Sequence, residues 1–255
     1  MTAILSSPMI GSHFITIDGL DGAGKSTLAE AAKNWFILRR LKIFDVTTWS
    51  KANGRLPTMD DIGSADVILT AEPSHVGIGA AIRNLVLAVG SSYNARQTAA
   101  AFALDRDIFY RQVILPFFET HPRGWILHER GLISSLAYQP LQSQRRNEKP
   151  ALTTEEVLTL PGNQTALQHV PDLFVFLDVD SKIAAQRLSE RVDASHVAAD
   201  IFEQDTGFQQ ALSHRYHLSE VTTPWTSRGT KIVTLDGGLP KEEVADKMKQ
   251  LLDNL

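Results

Sequence analysis

Nine consecutive residues, Gly19-Leu20-Asp21-Gly22-Ala23-Gly24-Lys25-Ser26-Thr27, hold the chemistry needed to grip a polyphosphate. Their spacing fits GxxxxGK[ST]. Glycines let the backbone curl until several N–H groups point at one anion. Lys25 can reach the outer phosphates of a nucleotide, and the Ser26 hydroxyl is placed for Mg²⁺. A plain glycine-rich surface turn would share the composition, so the flanking elements decide.

Those elements suit a phosphate loop. His13-Phe14-Ile15-Thr16-Ile17 reads as a short buried strand running into the loop. After it, Leu28, Ala31, Ala32, Trp35 and Leu38 recur at helical spacing. A helix beginning near Lys25 would aim its free N–H groups and positive dipole end at the phosphates. Strand, loop and helix together imply ATP or GTP binding.

Five segments read as buried strands: Phe14–Ile17, Val67–Ala71, Trp125–His128, Leu173–Val179 and Lys231–Leu235. Helical patterns alternate with them over Ser26–Arg39, Gly79–Ala88, Ala95–Phe118, Ser181–Arg191, Phe208–Ser219 and Lys241–Leu252. Strands alternating with helices imply right-handed crossovers and a parallel sheet covered on both faces. The expected fold is a three-layer α/β domain with a five-stranded parallel sheet, spanning residues 1–255. Residues 43–66 fit this scheme poorly and read as an extra hairpin or a long loop near the substrate. Ser143–Pro150, with Arg145 and Arg146, reads as a solvated, mobile stretch.

The 255 residues suit one such domain with embellishments, and 43% hydrophobic residues can bury a full core. A net charge of −4 gives no reason to expect bulk nucleic-acid or membrane-surface binding. Without cysteine there is no disulfide, thiolate catalysis or cysteine-ligated zinc. Met1–Ser12 lacks the basic start and apolar core of a secretory signal. No apolar run approaches the roughly 20 residues of a membrane span. A soluble cytoplasmic protein is the expectation.

A phosphate loop identifies what donates, not what accepts. Three further segments address the acceptor. The first is Thr70-Ala71-Glu72-Pro73, with Gly77, Gly79 and Ile82-Arg83 downstream. The second is Phe102-Ala103-Leu104-Asp105-Arg106. The third is Glu129-Arg130, followed by Ser134-Ser135-Leu136-Ala137-Tyr138-Gln139. With the loop, these resemble the thymidylate kinase family of P-loop nucleoside monophosphate kinases. Asp18 through Thr27 is close to that family's EGxDGxGKST, and Thr70 through Arg83 echoes TREPGGTxxGxxIR. Phe102–Arg106 matches a family helix segment, and Glu129–Gln139 is similar to DRYxxSSxAYQ. Pro171-Asp172-Leu173 through Asp180 looks like PDLxxxLDVD.

The resemblance implies a P-loop kinase fold and transfer of the ATP γ-phosphate to dTMP, with ATP and Mg²⁺ as cofactors and a homodimer as the usual assembly. It also implies roles. Phe102 would stack on the nucleobase, Arg106 would meet the pyrimidine carbonyl edge, Ser135 would sit near the base and Tyr138 near the sugar. Arg130 would grip the acceptor phosphate with its planar fork, with Arg83 a second phosphate contact. Glu72 and Glu129 would line the acceptor side. Asp21 would approach the acceptor and, with Ser26, help orient the metal, while Asp18 could hold the loop. Arg187 and Arg191, one helical turn apart, lie where the family carries its lid, over 181–207. There they would close on the transferring phosphoryl group. Each assignment has an ordinary structural counterpart: a core aromatic for Phe102, a helix salt bridge for Arg106, a surface arginine for Arg83, and helix packing for Ser135 and Tyr138.

The chain departs from the family pattern at Ala71, Ser74-His75-Val76, Glu129, Gly131 and Ile201. All of these touch the acceptor side or the lid, so another base preference stays open. Deoxynucleoside kinases share the loop, an EP after the second strand and an ERS motif. In that reading Glu72 would be a general base at a 5′-hydroxyl. A guanine-reading NKxD segment is absent, which removes a GTPase switch. An ATPase acting on a protein partner is the remaining alternative.

Overall fold

The computed structural model describes residues 12–195 and 206–255. Six parallel strands form one sheet: β1 (His13–Gly19), β2 (Ile43–Asp45), β3 (Val67–Ala71), β4 (Trp125–Glu129), β5 (Leu173–Asp178) and β6 (Lys231–Asp236). The order across the sheet is β2-β3-β4-β1-β5-β6. The central strands read as unbroken apolar runs because helices cover both faces. Phe14, Ile15, Ile17, Ile68, Ile126 and Val175 are all fully buried. β1 and β4 are neighbours, pairing Phe14 with Ile126 and Ile17 with Glu129. Their connections leave in opposite directions, one toward β2 and the other over β1 to β5. At such a switch point a crevice opens beyond the C-terminal strand ends.

The sheet has six strands rather than the five expected from the sequence. The difference lies in 43–66, which is neither a hairpin nor a loop. β2 pairs in parallel with β3, Ile43 opposite Val67, and two short helices follow, α2 (Val46–Asn53) and α3 (Met59–Ile62). Asp45 caps α2 by accepting from Thr48 N at 2.9 Å. Thr58 and Asp61 form a reciprocal capping box at α3. Three strand residues are too few to show a period, so this strand left no mark in the hydrophobic pattern.

Helix α1 (Lys25–Leu38) follows the loop and lies against α13 (Lys241–Asp253). Trp35 Nε1 donates to Asp253 there at 2.8 Å. α4 (Gly77–Ala81) ends in a π-turn over Ile82–Val86. α5 (Ala95–Phe109) runs through a second π-turn, Tyr110–Ile114, into α6 (Leu115–Thr120). α7 (Leu132–Arg145) carries the Ser134–Gln139 segment. Its interior Pro140 and its buried Ser135, Gln139, Gln142 and Ser143 blur any amphipathic stripe. After α7 the chain is exposed, as expected, but anchored: Glu148 accepts from Ala95 N at 2.9 Å at the start of α5. α8 (Thr154–Leu158) and α9 (Pro161–Gln168) lead to β5, and α10 (Ser181–Ser195) follows it. α11 (Thr206–Tyr216) and α12 (Ser219–Thr226) precede β6.

Candidate active site

The loop after β1 curls because two glycines press on the β5–α10 segment. A Cβ on Gly19 would lie 2.4 Å from Leu177 O, and one on Gly22 would lie 2.2 Å from Ala184 O. Gly22 also has φ +81°, a left-handed conformation that favours glycine. No side chain caps the start of α1, which leaves its first amides for an anion. Asp21, Gly22, Gly24, Lys25, Ser26 and Thr27 line a cavity of about 1030 Å³ at the crevice. Gly19, Leu20 and Ala23 lie beneath it; the side chains of Leu20 and Ala23 belong to the core.

Lys25 is buried and folded over its own loop. Its Nζ donates to Gly19 O at 3.1 Å and to Leu20 O at 2.8 Å. Burial, reinforced by the nearby Arg130 guanidinium, holds its ammonium below the usual lysine range. An incoming phosphate would reverse that balance.

Arg130 sits where β4 ends, at φ +67°. A non-glycine residue there costs about 1 kcal/mol, and such outliers gather at functional sites. The turn aims the guanidinium across the crevice, where it pairs with Asp21. Tyr138 OH donates to the other Asp21 oxygen at 3.1 Å. Beneath, the fully buried Asp18 accepts from Ser134 Oγ at 2.6 Å, from Gly19 N at 2.7 Å and from Tyr216 OH at 3.1 Å. Burial raises the Asp18 carboxyl above its ordinary value, against the pull of Arg130 and Lys25. The loop, the β4 end and α7 are thus joined at Asp21 and Asp18.

The far end of the cavity is lined by Glu72, Arg83, Phe102, Ser135 and Gln139, while Glu129, at the end of β4, lines it close enough to the loop to act on the Lys25 ammonium. Phe102 on α5 offers an aromatic face. Arg83 is held by the backbone, its Nε donating to Ser74 O at 3.2 Å and a terminal nitrogen donating to Pro73 O. Arg106 stands behind the wall, 1% exposed. It pairs with Glu72 at 2.6 Å, donates to Ser135 Oγ at 3.2 Å and donates to Asn163 Oδ1. It meets the cavity only through Ser135 and Glu72, which line it. Glu72 is buried too, yet its carboxyl lies below the usual range: burial opposes the charge, and Arg106 and His128 outweigh it.

Gln139 appeared in the sequence only as the end of a motif. It is buried and lines the cavity, and its Oε1 has no hydrogen-bond partner among the described residues. A buried amide oxygen on a cavity wall can accept from whatever donor occupies the cavity. Asp45, Thr47 and His75 also line the cavity. The first two come from the unforeseen β2–α2 unit, so no sequence pattern could place them. Arg187 on α10 reaches the opposite rim, donating to Gly237 O at 2.7 Å. Arg191 shares that helix, but its side chain lies outside the described residues, as do residues 200–203 with Ile201.

The chain is similar in sequence to known proteins over most of its length. A family model described as thymidylate kinase matches residues 58–248. A thymidylate kinase of Leifsonia xyli subsp. xyli is 28% identical over 241 residues, 94% of each chain. One from Bradyrhizobium sp. is 30% identical, over 83% of this chain and 79% of its own. A probable thymidylate kinase of Thermococcus onnurineus is 31% identical, over 70% of this chain and 72% of its own.

Proposed function

The chain belongs to the thymidylate kinase family, and on that premise we propose that it transfers the γ-phosphoryl group of ATP to dTMP, giving dTDP and ADP. One observation carries this reading. A single cavity joins the phosphate loop at one end to Phe102, Ser135 and Gln139 at the other, with Arg130 between them. Phosphoryl transfer asks mainly for alignment and charge neutralisation. Lys25 leaves its two loop carbonyls for the donor phosphates. Arg130, aimed by Asp21 and Tyr138, faces the anionic oxygens of donor and acceptor together, and Arg187 meets them from α10 on the opposite rim. Phe102 stacks on the base. The Gln139 amide, acceptor and donor side by side, complements the N3–H and carbonyl of thymine. Glu129 and Arg83 complete the acceptor wall.

The residues present fit a magnesium ion delivered with the nucleotide. Ser26 sits exposed on the cavity wall at the start of α1, and Mg²⁺ ordinarily takes one or two protein oxygens beside phosphate and water. Asp21 is nearby, but its pairing with Arg130 and Tyr138 favours Ser26 as the protein ligand. When bound, the ion would neutralise β- and γ-phosphate charge.

Residues 43–66 act as an inserted edge unit of a single domain. The expected homodimer has apolar side chains available: Leu85 in the π-turn, Val89 just after it and Leu104 on α5 are each about half exposed. No described helix is long and apolar enough to cross a membrane, and we place the protein in the cytoplasm. A 5′-hydroxyl acceptor would need Glu72 as a free base; its pairing with Arg106 and His128 argues against that. A coupled ADP-release assay across dTMP, dUMP, dCMP, dGMP and thymidine tests the reading. Turnover with dTMP well above dCMP is expected, and turnover with thymidine but not dTMP overturns it.

A further inference from the structure

Behind the acceptor wall lies a polar chain that the proposed reaction does not itself use. His128, on β4, is 1% exposed. Its Nδ1 lies 2.7 Å from Thr70 Oγ1, and its Nε2 lies 3.3 Å from Glu72 Oε1. Glu72 Oε2 faces Arg106 at 2.6 Å, and Arg106 donates onward to Ser135 Oγ and Asn163 Oδ1. Thr70, Glu72 and Ser135 line the cavity, whereas His128 and Arg106 lie behind it.

We propose that His128 is a positioning residue for the acceptor: its Nε2–H holds Glu72, and through Glu72 it fixes the Arg106–Ser135 pair at the base pocket. The proposal rests on the acceptor reading given above. Its logic is one of donors and acceptors. A carboxylate only accepts, so the proton facing Glu72 must sit on Nε2. Nδ1 then accepts from the Thr70 hydroxyl, which is nearer to it than to Leu127 O at 3.3 Å. Two phenylalanines hold the ring: Phe14 meets it edge-on at 6.0 Å and Phe109 stacks at 6.1 Å. Glu72 has two buried oxygens, and Arg106 faces only Oε2. Without His128, Oε1 would lose its donor in a dry site, and the carboxylate would turn and draw Arg106 off Ser135.

Two measurements on the full-length protein test this. Nitrogen-15 NMR of the wild type reads the His128 tautomer. A proton on Nε2 is expected, and a ring carrying its proton on Nδ1 with Nε2 bare overturns the proposal. Steady-state kinetics then compare His128→Asn, too short to reach Glu72, with His128→Gln, whose amide nitrogen can. For His128→Asn the KM for dTMP should rise about tenfold while that for ATP stays within about twofold, and His128→Gln should recover most of the loss. Equal rises in both KM values mean a merely structural role and overturn the proposal, as does an unchanged dTMP KM in His128→Asn. If the wild type does not turn over dTMP at all, the acceptor reading is what fails, and the tautomer still decides the Glu72 contact.

Discussion

At the donor end of the cavity, nine consecutive residues supply the loop, and most of its chemistry is backbone: curled glycines, open helix amides and one lysine. At the acceptor end, the wall comes from β3, α5, the end of β4 and α7, held together by side chains such as Glu72, Arg106 and Asn163. The first kind of site asks only that a local turn form. The second asks that four segments arrive in register and that a buried ion pair be satisfied. Function and stability should therefore separate at the donor end and travel together at the acceptor end.

The largest effect should come from Lys25→Ala. Turnover should fall at least about a thousandfold with the loss of its charge on the transferring group. The fold should not suffer. Burial already depresses the Lys25 ammonium, so the folded state gains nothing from that charge. Thermal unfolding of the variant should match or exceed that of the wild type. A clear drop in melting temperature would mean that the donor loop, too, is a structural keystone.

The opposite pattern is expected for Glu72→Ala. It strands the Arg106 guanidinium in a site 1% exposed, and removal of one partner from a buried pair costs about 3 to 5 kcal/mol. Denaturant unfolding should show that loss. A variant with wild-type stability would break the contrast between the two ends.

The same contrast explains what the sequence revealed. The loop was legible because its chemistry is contiguous and its strand and helix show strong periods. Five strands emerged from apolar runs. The residues of the acceptor wall could be named through resemblance, but not their arrangement. Nothing in Phe102–Arg106 says that Arg106 turns away from the cavity, because its partners Glu72 and Asn163 are remote in sequence. Gln139 carries no such signal, because an unpaired amide is visible only in three dimensions. β2 leaves no sequence signal because Ile43–Asp45 is too short to show alternation, yet it brings Asp45 to the wall.

Phe102→Ala sharpens the comparison within the acceptor end, because this ring lines the wall without belonging to the buried ion pair. Loss of its face should raise the KM for dTMP about ten- to thirtyfold, with ATP nearly unaffected and stability little changed. Steady-state kinetics with each nucleotide varied in turn would check this. Equal weakening of both would place the ring between the two sites rather than in the base pocket.

The smallest effect concerns His75, half-buried on the cavity wall. Burial, followed by the charges of Arg83 and Lys51, lowers its imidazole from the ordinary 6.5 to about 4. The sign is that of a depressed base. The unfolded chain takes up the proton first, so the His75 contribution is present above pH 6.5 and is lost as pH falls through about 4. His75→Gln should flatten that acid-side slope in pH-dependent unfolding. The same ring reports on the acceptor. Beyond burial, Arg83 and Lys51 depress it, and a bound phosphate beside Arg83 would offset them and raise its pKa. Proton NMR titration with and without dTMP should show that rise, whereas a nucleotide confined to the donor loop should leave it nearly unmoved. An unchanged His75 in the dTMP complex would remove Arg83 from the phosphate contacts and leave Arg130 as the cation that meets the acceptor.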